Sequence, residues 1–290
     1  MPPIAVRTSG VRPVTEQRTS AQGTTGGRAT VARVYDFLLG GEQNFAADRE
    51  AARQLLQAVP EAADMALSAR LFLRRAVQTL AEDGIKQFLD LGSGIPTQGN
   101  VHEIAQAVDP AIRVVYVDID PVAVVASNQI LIGNPTCRAI EGDFTRPDLI
   151  LDALAGSHLS TVIDLEQPTA VLYCSVLQQV ADDQVDDVVA PIRDLLVPGS
   201  AMVISHLSAT ITDSFGQSAL DEGRSVYRTQ AATEITLRTD EQLTALFGDL
   251  ALIEPGLVPL NHWRPELSEP DPYATAPTPS PVRGAVGIRY

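Results

Sequence analysis

The chain has 290 residues and a formal net charge of −15, with 45% hydrophobic and 20% charged residues. That usage is ordinary for a globular protein and excludes disordered and fibrous classes, and the length predicts one large domain or one domain with an added cap. Lys86 is the sole lysine, and duplex binding needs a clustered basic face, so nucleic acid is not an expected partner.

No apolar run approaches the ~20 residues of a membrane-spanning helix. The opening MPPIAVRTSG lacks the apolar core of a secretory signal, so a cytoplasmic protein is expected. Cys137 and Cys174 lie 37 positions apart. They form no metal-binding spacing, so reduced thiols and no metal site are expected.

Residues 1–28 are rich in Gly, Thr, Ser, Arg and Pro without periodicity, and read as a disordered tail. Thr30 is a candidate N-cap for a helix over 31–39, stopped by Gly40 and Gly41. A second helix is predicted over 46–59 and a third over 64–81. In the third, Leu67, Leu71, Ala76 and Val77 form one face, with Arg70, Arg74 and Arg75 elsewhere. The pattern then changes. Strands at 86–91, 113–118, 136–141, 169–176 and 199–206 alternate with helices at 99–108, 121–131, 147–155 and 184–196. Such alternation predicts βαβ units and a parallel sheet with helices on both faces. Helices near 216–228 and 240–247, a strand at 250–258 and a last strand at 283–290 complete the order. Residues 265–281 are proline-rich and read as a partly mobile loop. The segments divide as a tail at 1–28, a helical cap at 29–85 and an α/β domain at 86–290, with the sheet expected to fold without its cap.

Asp90-Leu91-Gly92-Ser93-Gly94-Ile95-Pro96-Thr97 follows the first strand and precedes a helix. Glycines there let the backbone turn sharply and approach a ligand. A dinucleotide site wants G-x-G-x-x-G, and Thr97 stands at its third glycine. S-adenosylmethionine, which has no pyrophosphate, needs an acid before the glycines and a carboxylate for its ribose. Asp90 is a candidate for the first. Asp118, ending the second strand, is a candidate for the second, with Ile119 beside it. Asp120 before Pro121 reads as a helix cap. Asp143 and Phe144, after the third strand, are candidates for the adenine, although Asp143 also suits a cap before Pro147. Thr97 and Asn100, which border the loop, are further cofactor-binding candidates.

His206 ends the fifth strand and is the best acid/base candidate. His102 either reaches the cofactor or acceptor site or is a satisfied residue on its helix face, and His158 and His262 read as loop residues. Tyr35, Asp36, Asn44, Asp48 and Arg49 cluster around the Gly40-Gly41 break, which predicts a lid with Tyr35 and Asn44 pointing at the cofactor. Tyr35 is a second catalytic candidate. The acidic run 182–187 reads as a solvated helix start.

These residues together resemble class I S-adenosylmethionine-dependent methyltransferases. The flanks narrow the likeness. Ala32 to Gly41, with Asn44-Phe45-Ala46-Ala47-Asp48-Arg49-Glu50, is similar to the N-terminal signature of an actinobacterial S-adenosyl methyltransferase family, formerly a domain of unknown function. Leu91 to Glu103 resembles its glycine-loop motif. Glu254 to Leu260 and Trp263-Arg264-Pro265 resemble its C-terminal signature. The likeness covers about residues 29–290. It implies a Rossmann-like, seven-stranded, mostly parallel sheet with an antiparallel last strand, and S-adenosyl-L-methionine at Asp90, Gly92, Gly94, Asp118 and Asp143. Where the family tends to have Leu-His after strand four, this chain has Leu177-Gln178, which puts a base at 178 in doubt. The favoured function is methyl transfer to a small-molecule acceptor. A cofactor-binding protein without transferase activity and a nicotinamide-dependent oxidoreductase are the rivals.

Overall fold

The computed structural model describes residues 27–96, 99–156, 159–209 and 216–290. Its centre is an eight-stranded sheet. The strands are β1 (Gln87–Leu91), β2 (Arg113–Asp118), β3 (Cys137–Glu141), β4 (Ala170–Cys174), β5 (Ala201–Leu207), β6 (Ala251–Leu252), β7 (Val258–Pro259) and β8 (Val282–Ile288). Their order is β3-β2-β1-β4-β5-β8-β6, with β7 also paired to β8. The first five strands are parallel, and β8 pairs antiparallel with β5, β6 and β7. The sheet therefore has one strand more than the expected seven. Residues 253–257 hold Pro255, which has no N–H for a ladder, and the strand predicted over 250–258 is two short ones.

Alternation along the strands supplies two cores. Leu89, Leu91, Val115 and Val117 face helices α6 (Pro147–Ala155), α7 (Val185–Arg193) and α9 (Asp240–Ala245). Phe88, Val114, Tyr116 and Leu172 face α3 (Ala62–Glu82) and α4 (Val101–Val108). The long helix α3 is thus a layer of the sheet's own core, through Phe72, Leu73, Ala76, Val77 and Leu80. Of the residues expected to form its inner face, Leu67 is exposed, while Arg75 is wholly buried. A distant segment explains the exchange. Arg75 donates to the Leu260 carbonyl (2.6 Å) and Ser268 Oγ (2.9 Å), and Ser68 donates to Asp271 (2.8 Å). Much of the proline-rich segment is clamped onto α3 in this way.

The smaller cap comprises α1 (Val31–Leu38), α2 (Ala46–Ala58) and α8 (Gln217–Val226). Val34, Ala51, Ala52, Leu55 and Val59 form its apolar centre. A π turn, Tyr227–Ala231, continues α8. Helix α5 (Pro121–Ile130) follows β2. Among the described residues, no helix is long and apolar enough to cross a membrane, and no metal-binding cluster is found.

Candidate functional site

Strands β1, β2 and β4 lie side by side, with Asp90 opposite Tyr116 and Leu172. Their carboxyl ends open into a cavity of about 400 Å³. That edge is where open α/β sheets bind ligands. Asp90, Gly92, Gly94, Asp118, Phe144 and Ser175 line it from the sheet, and Thr30, Arg33, Tyr35 and Arg70 from the helices.

The glycine loop is held by β2. The Gly92 and Ser93 amides donate to the Val117 carbonyl (2.8 and 3.1 Å). The Gly94 amide donates to Asp118 Oδ2 (2.7 Å), and the Asp120 amide to Asp118 Oδ1 (2.8 Å). Gly92 and Gly94 have φ of +67° and +69°, a region glycine enters without steric cost. A Cβ on Gly92 would stand 2.6 Å from Val176 Cγ1, whereas one on Gly94 would meet nothing within 4 Å. The backbone of Gly94 therefore faces open space at the cavity.

Two buried carboxylates adjoin the loop. Burial pushes Asp90 up to about 7; Arg70 opposes that shift and Asp118 adds to it. Burial also raises Asp118, against the pull of its backbone donors. Asp120 caps α5, accepting from the Val122 amide (2.9 Å), as its place before Pro121 predicts. It does more. Asp120 accepts from Thr30 Oγ1 (2.7 Å) and from Arg33 (3.1 Å), and Arg33 also holds Asp48 (3.0 Å). That network fastens α1 over the end of β2.

Phe144 is buried at the cavity, and Ile119 is an exposed apolar residue at its rim. Other candidates lie elsewhere. Asn44 is not among the residues lining the cavity and donates to Asp36 and the Gly41 carbonyl (both 2.8 Å). A Cβ on Gly41 would collide with Asp36, so this triad locks the helix break. Asp143 accepts from Thr145 in the turn before α6 (2.9 and 2.7 Å), the capping role open to it from the sequence. Asn100 starts α4, its amide donating to Glu103 (2.8 Å). Thr97, like His158, lies outside the described residues.

Neither catalytic candidate is placed to move a proton. His206 is fully buried and lines neither the cavity at the strand ends nor the one behind Tyr35. Nδ1 donates to the Leu207 carbonyl and Nε2 accepts from Arg238, both at 2.7 Å, so the ring is a neutral brace. Burial and Arg238 push its pKa down to about 4. Tyr35 does line the cavity, but its hydroxyl donates to the Ala66 carbonyl (3.0 Å) and burial raises it to about 12. His102 is buried against the Tyr116 hydroxyl (2.7 Å).

Several lining residues carry no sequence signal. Ser175 has φ of +57°, a strained state for a non-glycine residue and of the kind that collects at functional sites. Arg70 and Arg33 reach the cavity only because α3 and α1 cross it.

The matching family profile, described as S-adenosyl methyltransferase, spans residues 17–289. The chain belongs to that family. A candidate methyltransferase from Thermobifida fusca is 37% identical, with a TM-score of 0.80 over 90% of this chain and 95% of that one. A DUF574 family protein from Streptomyces avermitilis is 32% identical, with a TM-score of 0.80 over 91% and 98%. The magnesium protoporphyrin IX methyltransferase of Synechocystis, solved with bound SAH, shares the fold at 13% identity and a TM-score of 0.51, over 89% and 93%. No curated protein matches the chain.

S-adenosylmethionine is the family's cofactor, and the cavity fits it. Its volume falls within the range of about 300–1,000 Å³ usual for small-molecule sites. Gly94 leaves open space for a close approach, Asp118 stands where a ribose needs an acceptor, and the buried Asp90 carboxylate suits an ammonium group.

Proposed function

We propose that the chain transfers a methyl group to a small-molecule acceptor, with the cofactor lying in the cavity beneath α1. Asp118 holds the ribose, Asp90 the ammonium of the methionyl part, and Phe144 and Ile119 flank the adenine. S-adenosylmethionine, when bound, supplies a methyl group on a positively charged sulfur. The protein's share is orientation and exclusion of water. The glycine loop and Asp118 fix the ligand against the strand ends, and α1 covers it. Tyr35 and Cys174 are held protonated by burial, so positioning rather than proton removal by these groups carries the reaction.

The enclosure of the cavity by α1 and the π turn after α8 carries the small-molecule reading. A site roofed by helices takes a compact acceptor more readily than a polymer. Titration with S-adenosylmethionine, S-adenosylhomocysteine and NAD tests the cofactor assignment. Binding of the first two is expected, and binding of NAD alone overturns it. With cofactor labelled at the methyl group and an actinobacterial extract, label is expected in the dialysable fraction. Label confined to precipitated protein or nucleic acid contradicts a small acceptor.

A further inference from the structure

Behind Tyr35 lies a second cavity of about 120 Å³. Val31, Tyr35, Ala69 and Ser175 line both cavities, so the two adjoin there. The walls of the second are apolar, with Leu55, Val59, Met65, Leu220 and Ile235 among them. An engineered apolar cavity of about 150 Å³ admits benzene, so this one has room for about a single ring.

One polar side chain in that wall is incompletely paired. Gln178 is buried, and its Nε2 donates to the Ser175 carbonyl (2.7 Å). Its Oε1 is shut off from solvent and meets no donor among the described residues. Turning the amide over would set oxygen against the Ser175 carbonyl oxygen, so the bond fixes which end is unmet. The Thr236 amide holds the Gln178 backbone carbonyl (2.7 Å), which keeps the residue in place. Of the buried side-chain atoms without a partner among the described residues, this is the one whose residue lines either cavity, and a buried unpaired acceptor calls for a physical explanation.

We propose that this second cavity is the acceptor subsite, and that Gln178 accepts a hydrogen from the group to be methylated. The inference rests on the cofactor placement above. The acceptor is then a compact apolar molecule of single-ring size whose nucleophile is an amine N–H or a hydroxyl O–H. A carboxylate brings no hydrogen and would set oxygen against oxygen. The neutral carboxamide takes no proton. It orients the nucleophile, whose lone pair is left to face the cofactor cavity. As that pair forms the new bond to the methyl carbon, the carbon–sulfur bond breaks with its electrons going to sulfur, and the methylated ammonium or oxonium gives its proton to solvent water on leaving.

Phenol and its methyl ether, anisole, test this as probes on the full chain saturated with S-adenosylhomocysteine. Phenol is expected to bind about tenfold more tightly, the contribution of one hydrogen bond. Gln178→Met keeps the length and removes the accepting oxygen. It is expected to lower phenol affinity to that of anisole while S-adenosylhomocysteine affinity is unchanged. Ala66→Met, which fills the cavity, is expected to abolish binding of both probes. Equal binding of the two probes to the unaltered chain, binding of neither, or full phenol affinity in Gln178→Met overturns the subsite. Failure of S-adenosylhomocysteine itself to bind overturns the cofactor placement, and the subsite with it.

Discussion

Asp90 sits in an environment that suits its proton better than its charge. The folded carboxyl keeps that proton to about pH 7, against an ordinary value of 3.8. Between those values the folded state binds more protons than the unfolded one, so stability falls as pH rises through the window and is level above it. Asp90→Asn has no such proton to lose. Its melting temperature relative to the unaltered chain is expected to rise between about pH 4 and about pH 7 and to level off above that. Cofactor affinity should move the other way. In the unaltered chain it strengthens as pH rises through about 7, and in Asp90→Asn it is weaker and lacks that step. Titrations at several pH values check both, and a pH-independent affinity in the unaltered chain contradicts the ammonium assignment. For Asp118→Asn, loss of a charged acceptor predicts cofactor binding weaker by about tenfold to a hundredfold, from the ~1.5–3 kcal/mol of a charge-assisted bond. Unchanged affinity would remove Asp118 from the ribose. Both acids were legible because they stand at fixed places beside a glycine loop. Ser175 was not, and Gln178 stood out only as a departure at a place where a base was in question, since their significance comes from a positive φ and an unmet oxygen, neither visible in residue type.

Helix α1 is held at its N-terminal end by charge rather than by area. Arg33 bridges the buried Asp48 and Asp120, and stacks 5.2 Å from the Phe45 ring centroid. Removing the cation leaves two buried carboxylates without their shared partner, which costs about 3 kcal/mol. Arg33→Ala is therefore expected to lower the melting temperature by several degrees and to weaken cofactor binding as α1 loosens. A melting curve and a titration read the two effects. Loss of stability with full affinity would make α1 packing only. The helix itself was legible from Thr30 and the two glycines, and the break at Gly40-Gly41 is where the sequence places it. The misassigned member of the lid, Asn44, is a polar residue whose partners, Asp36 and Gly41, lie within the cap. Residue type alone does not separate a side chain that faces a ligand from one that knits a turn.

At the scale of the molecule, the alternation of strands and helices carried the sheet, because strands buried on both faces leave short continuous apolar runs in the sequence. The division at residue 85 carried less. Helix α3 covers one face of the sheet, so removal of 29–85 would strip Phe72, Val77 and Leu80 from the core, and a folded sheet is not expected to remain. That contact is long-range, as is the clamp of Arg75 on the segment 260–271, and neither leaves a periodic trace. The central claim is that one cavity, floored by the β1 and β2 ends and roofed by α1, takes the cofactor. Hydrogen exchange with and without saturating S-adenosylhomocysteine tests it most directly. Slower exchange is expected at 31–38, 90–96 and 118–121 together, with 185–193 on the far side unchanged. Protection of 90–96 with 31–38 unaffected would contradict it.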